Sequence, residues 1–135
     1  MASIDLKNVT SIGEDCFYHC ELLKNVNLRN VISIGRYAFS STIIEELEIP
    51  STVTSIGSYA FSTSTLKTLT FYDNGLTLTN DPFDNYITTI NYRGSEGKTV
   101  ADLEAEYASK YGDVSKLKPT STRTVNYIPY EDWNT

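Results

Sequence analysis

The chain has little of what several protein classes require. Only two of its 135 residues are cysteine, Cys16 and Cys20, too few for a disulfide-stapled scaffold. No apolar run approaches the roughly 20 residues that a helix needs to cross a bilayer, so no membrane insertion is expected. The start, "MASIDLKNVTSIG", has neither a charged n-region nor an apolar h-region and does not read as a signal peptide. The protein is therefore expected to stay inside the cell or particle that makes it, or to be cut from a longer exported one. Basic clusters are also missing. The net charge of −6 divides into −4 over residues 1–93 (six Lys/Arg against ten Asp/Glu) and −2 over 94–135 (five against seven). That balance makes nucleic acid a poor partner and favours solubility. An apolar fraction of 40% with 12% aromatics suits one folded domain with a real core.

What the chain does have is a repeat. Gly13, Gly35 and Gly57 lie 22 residues apart, as do Phe17, Phe39 and Phe61, and Val9, Val31 and Val53. A fixed period of this size marks a solenoid. The units are "VTSIGEDCFYHCELLKNVNLRN", "VISIGRYAFSSTIIEELEIPST" and "VTSIGSYAFSTSTLKTLTFYDN", followed by a degenerate "GLTLTNDPFDNYITTINYRG". The pairs Ile4/Leu6, Val26/Leu28, Leu47/Ile49, Leu69/Phe71 and Ile90/Tyr92 alternate with polar residues, which predicts short strands with one buried face. Val and Ile three apart come next, then a glycine read as serving a special backbone conformation. The phenylalanine fills the interior, and Leu23, Ile44, Leu66 and Ile87 return the chain to the following strand. One unit cannot bury its own apolar face; stacked units can.

This pattern, V-x-x-I-G-x-x-A-F-x-x-x-x-L-x-x-L-x-I-P, resembles the BspA-type leucine-rich repeat of bacterial and protist surface proteins. The resemblance covers residues 3–93, about two thirds of the chain. It implies a mainly β solenoid, a right-handed superhelix of about four 22-residue coils. It implies too that Cys20 packs inside its coil, and that a protein partner binds on the strand face, as in a surface adhesin. Cys16 stands where the other units carry Ala38 and Ala60, and Thr79 and Asp81-Pro82 interrupt the last unit.

The two ends differ. Residues 1–93 read as the solenoid and 94–135 as its closing segment. Thr99 to Asp102 fits a capping box for a helix over about 99–111, with Val100, Leu103, Tyr107 and Tyr111 on one face and Gly112 as its stop. Val125, Tyr127, Ile128, Tyr130 and Trp133 form an aromatic tail expected to pack on that cap or on a neighbour. At the front, the chain opens directly on the strand Ile4-Asp-Leu6 with nothing to cover it, an exposed edge. Trimming from a longer array, end-to-end stacking of copies, or another protein would each account for it. The last two make Ile4, Leu6, Tyr127, Tyr130 and Trp133 candidate assembly residues.

Candidate chemistry is sparse. Cys16, His19 and Cys20 supply three metal-ligand types, but with one histidine in the chain a tetrahedral zinc set is incomplete. Two buried thiols and a surface histidine are expected instead. Glu45, Glu46 and Glu48 read as a solvated sheet face rather than an acid–base pair or calcium site. No catalytic residue, cofactor or metal is predicted. Stacking the coils aligns three outward columns: Ser3, Asn25, Glu46, Thr68, Thr89; Asp5, Asn27, Glu48, Thr70, Asn91; and Lys7, Arg29, Pro50, Tyr72, Arg93. The third combines Arg and Tyr, types enriched at binding hot spots. Arg29, Glu48, Tyr72 and Arg93 are the candidate partner-binding residues. Tyr37 and Tyr59, each two residues before a phenylalanine, either shield the coil or face a partner.

Overall fold

A computed structural model describes residues 3–6, 8–63, 65–73, 76–78, 82–83, 87–111 and 123–133. Lys7, Thr79, Asp81, Gly112 and the side chain of Tyr111 lie outside the described residues. In chain order the repeat gives β1 (Ser3–Asp5), β2 (Ser11–Ile12), β3 (Asn25–Asn27), β4 (Ser33–Ile34), β5 (Glu46–Ile49), β6 (Ser55–Ile56), β7 (Thr68–Tyr72), β8 (Thr77–Leu78) and β9 (Thr89–Arg93). Helix α1 (Val100–Tyr111), strand β10 (Thr124–Ile128) and a 3-10 turn (Tyr130–Asp132) follow.

The odd-numbered strands are the alternating pairs. Their polar residues face out while Leu47, Ile49, Leu69, Phe71, Ile90 and Tyr92 are buried. The short even-numbered strands come from the Ser-Ile dipeptides and stack in parallel as β2-β4-β6-β8. Each coil thus has two parallel ladders with the core between them. Within the repeat, β1 to β9, every partner shares its 22- or 21-residue offset, from Ser3↔Asn25 in the first coil to Tyr72↔Arg93 in the last.

The phenylalanines form a continuous spine. Phe17, Phe39, Phe61 and Phe83 stack with ring centroids 5.2, 5.1 and 5.7 Å apart and planes within 12°. Stacked pairs of this kind contribute about 0.5–1.5 kcal/mol each beyond their burial.

The glycine of each unit does not serve the purpose expected of it. Among the described residues only Gly97 has a positive glycine φ. The left-handed backbone falls instead on Asp15, Tyr37 and Tyr59, two residues before the phenylalanine, and on His19 and Ser41, two after it. Such conformations cost bulky residues about 1–2 kcal/mol. Backbone bonds between coils offset that cost: Tyr37 N–H donates to Ser58 O at 3.1 Å, Phe39 to Ala60 O at 2.7 Å and Ser41 to Ser62 O at 3.2 Å. Gly35 and Gly57 are needed for proximity. A Cβ on Gly35 would lie 2.6 Å from Glu14 N, and one on Gly57 2.6 Å from Arg36 N. At Gly13 the same Cβ meets nothing within 4 Å.

The far end is closed by α1. Thr99 N–H donates to Asp102 Oδ2 (3.0 Å) and Asp102 N–H to Thr99 Oγ1 (3.2 Å), the expected capping box. Leu103 is fully buried against Gly94, and Tyr107 packs edge-on against Tyr92 and Tyr127. Val100, placed on the same face by periodicity, is 43% exposed, because it sits in the first turn, ahead of the contact. Lys98 pins the cap to the third unit, bridging Asp73 at 2.7 Å and Glu106 at 2.6 Å.

Replacing Gly35 or Gly57 by Ala should destabilise the fold by about 1–3 kcal/mol, the range for forced overpacking. Gly13→Ala should stay within about 0.5 kcal/mol, as for an unhindered surface change. Chemical denaturation of the three variants measures the contrast, and equal losses at all three would contradict it.

Candidate functional site

The outward ladder is larger than the repeat alone predicts. Strand β10 pairs in parallel with β9, Thr124 opposite Thr89 through Ile128 opposite Arg93, and adds a further rung. The signal was present in the sequence: "TVNYI" repeats "TINYR" almost residue for residue. Distance from the last periodic unit hid it. Side chains along the middle column bond from coil to coil. Asn126 Nδ2 donates to Asn91 Oδ1 at 2.9 Å, and Asn91 Nδ2 to Thr70 Oγ1 at 3.2 Å.

After β10 the 3-10 turn carries the chain back over the third column. Trp133 lies against Tyr72 with centroids 4.9 Å apart and against Tyr130 at the same distance. Arg93 donates from Nη1 to the Trp133 carbonyl at 3.2 Å, and its guanidinium stands 6.0 Å from the indole centroid. Tyr72 OH donates to Glu48 Oε1 at 2.5 Å. The structure therefore joins Glu48, Tyr72, Arg93, Trp133 and Tyr130 into one band. Arg29, the remaining candidate, lies away from the Trp133 end of this band but lines one groove with Glu48. Its backbone N–H donates to Asn27 Oδ1, and among the described residues its side chain makes no ion pair.

Between those two parts the sheet is open. β3 is hydrogen-bonded to β1 and β5 to β7, with no ladder from β3 to β5. The first coil carries one residue more between its phenylalanine and its returning leucine (Phe17 to Leu23) than the next (Phe39 to Ile44). The surplus is accommodated beside the opening, where Leu22 is 69% exposed. At the near end the exposed Lys24–Glu45 ion pair, 3.1 Å long, and one backbone bond, Ile43 N–H to Leu23 O at 2.9 Å, cross between the two coils, and exposed pairs of this kind contribute about 0–1 kcal/mol. At the other end lies a groove of 390 Å³ lined by Val26, Asn27, Leu28, Arg29, Glu48 and Pro50.

The candidate assembly residues are placed unequally. Ile4 is half-buried at the open first coil and Leu6 is buried. Tyr127 packs on Tyr92 and Tyr107 inside the chain, and Tyr130 is 46% exposed. The expectation of two buried thiols is corrected. Cys16 is exposed and Cys20 half-buried, although Ala38 and Ala60 at the position of Cys16 are fully buried. The first coil lacks the preceding rung that covers this position elsewhere. No group of three or more His, Cys, Asp or Glu that could hold a metal occurs among the described residues. Nor is any helix of the described residues long and apolar enough to cross a membrane. Tyr37 and Tyr59 stack on each other at 5.4 Å and 16° on the outside of the loops.

Two parallel ladders, a phenylalanine spine and a periodic glycine contact define a leucine-rich-repeat solenoid. The model of the BspA-type leucine-rich repeat region matches residues 1–100 in six copies, and the chain belongs to that family. A crystal structure of a leucine-rich repeat protein from Bacteroides ovatus has the same fold, with a TM-score of 0.60 and 22% identity. The match covers 97% of this chain and 33% of that one, so the chain spans about a third of its structural relative. No curated protein matches it.

The ladder face should be sensitive to alkali. Burial, then the hydrogen bond and charge of Glu48, push the Tyr72 phenol up to about 12, and burial pushes Tyr107 up to about 12. Both lie above the unfolded value of roughly 10. The fold therefore favours the protonated phenols, and that stabilisation is complete below about pH 10 and lost as the pH rises through about 12. Tyr72→Phe should flatten its share of this loss in unfolding measured across that range. An unchanged pH profile would contradict the burial and bonding described.

Proposed function

We propose that the chain is a non-catalytic protein-binding module whose contact surface is the outward ladder, with Arg29, Glu48, Tyr72 and Arg93 touching the partner. The observation that carries this reading is the third column. On a sheet held by buried alternate residues, it presents Arg29, Pro50, Tyr72 and Arg93 in line, extended by Trp133 and Tyr130. Trp, Tyr and Arg dominate binding energy at protein interfaces, and a rigid sheet orders few side chains on binding. The family and its fold are typically non-enzymatic, which agrees with this. Display at a cell surface as part of an adhesin is the finer form of the proposal, drawn from the family likeness.

A second reading, a structural or decoration subunit of a virion or surface layer, is favoured by the first coil alone. Gly13 has open space where its equivalents meet backbone, and Phe17 stacks on a single neighbour, Phe39. Association would then run through Ile4 and that face, with Leu6 beneath it. The opposite end is covered by α1 and β10, so Tyr127 and Trp133 would take part only by leaving their present contacts.

The two readings separate by experiment. Affinity capture with the double variant Arg29→Ala/Glu48→Ala should lose the partner held by the unaltered chain about tenfold or more, with the circular dichroism unchanged. Ile32→Ser, an exposed change on the other ladder, should retain it. A partner held equally by all three sinks the ladder-face reading.

A further inference from the structure

We infer that the groove at the opening between β3 and β5 takes a tryptophan-bearing extended segment of the partner, held by Arg29 and Glu48. This rests on the ladder-face reading above and specifies its ligand. The chain itself supplies the precedent. Arg29 and Arg93 occupy equivalent positions of the repeat and the same column. Arg93 already holds such a segment: the indole of Trp133 beside its guanidinium, and the Trp133 carbonyl accepting from Nη1 at 3.2 Å. The guanidinium is weakly hydrated, planar and rich in donors, so one group serves both contacts.

At Arg29 the same chemistry is present and uncovered. Its side chain is exposed, and the 390 Å³ groove beside it has apolar walls in Val26, Leu28 and Pro50. Glu48 adds what the covered site lacks. The indole nitrogen of Trp133 is buried with no acceptor among the described residues. An indole is a donor only. In the groove, Glu48 uses Oε1 for Tyr72, and among the described residues Oε2 is left to accept an indole N–H. A charge-assisted bond of that kind is about twice as strong as a neutral one. A phenylalanine could fill the apolar walls but would leave this carboxylate unused, which selects tryptophan. The groove is continuous through Pro50 and Tyr72 with the surface that Trp133 covers, so the partner segment and the chain's own tail would lie side by side on one column.

The probe is a labelled synthetic peptide of the tail sequence, Asn126 to Trp133, titrated into the full chain with fluorescence anisotropy as the readout. Saturable binding is expected, weakened about tenfold or more by Arg29→Ala and by a Trp→Phe change in the peptide. Glu48→Gln should lose part of the affinity for the tryptophan peptide and none for the phenylalanine one. Ile32→Ser, an exposed change away from the groove, should leave its binding intact. No binding to the unaltered chain, or binding indifferent to Arg29→Ala, overturns the inference. Because the capture experiment uses the partner itself, loss of capture in Arg29→Ala/Glu48→Ala together with an inert peptide would remove this ligand and leave the ladder-face reading standing.

Discussion

The rest of the structure depends on how closely one coil's backbone approaches the next. At Gly35 and Gly57 the approach leaves 2.6 Å between a would-be Cβ and the preceding coil, distances that no side chain tolerates. That contact fixes the stacking distance, and the stacking distance fixes everything repeated along the axis. The phenylalanine rings come to 5.1–5.7 Å. The loop amides reach the next coil's carbonyls at 2.7–3.2 Å. Left-handed conformations at Tyr37 and Tyr59, unfavourable for an isolated turn, persist because each is held by its neighbour.

Along the described stack, the first and last coils are packed differently. Downstream, α1 covers the last coil, its capping box setting where the helix begins and Leu103 filling the space over Gly94. Strand β10 then continues the outward ladder past the last repeat unit. In the first coil, positions buried elsewhere lie open: Cys16 where Ala38 and Ala60 are buried, Phe17 where Phe39 and Phe61 are buried. Burial of a given repeat position is therefore a property of the pair of coils, not of the unit's own sequence. The outward face shows the same dependence. One surplus residue in the first coil coincides with the break between β3 and β5, and the break makes the groove beside Arg29.

Much of this was legible because the period is strict. Val31, Ile34, Phe39, Ile44, Leu47 and Ile49 are all buried as the pattern requires, and even the degenerate fourth unit keeps Leu78, Phe83 and Ile87 inside. The column registers within β1–β3 and within β5–β7–β9 followed from the period and strand alternation. What was not legible depends on contacts between segments that share no period. The periodic glycine suggests a backbone bend, since a sequence does not reveal that the obstacle is another coil's peptide. The tail's composition suggests aromatic packing, although Val125 and Tyr127 repeat the spacing of Ile90 and Tyr92. Its return over Tyr72 and Arg93 could not be read, because nothing local aims Trp133 at a column 40 residues away. The opening between β3 and β5 is not legible either, because the alternation of apolar and polar residues in β3 is the same as in the strands that do pair.

The central claim is that each coil is held by the coil beside it, so that protection rises from the open end inwards. Residue-resolved amide hydrogen exchange tests it most directly. The Phe39 and Phe61 amides, bonded to Ala60 O and Pro82 O and flanked by coils on both sides, should exchange slowest. The Phe17 amide makes an equally short bond to Ala38 O at 2.7 Å, yet it should exchange well ahead of them, because its coil has one neighbour. Equal protection at all three would show that the coils are stable in themselves and would contradict the account.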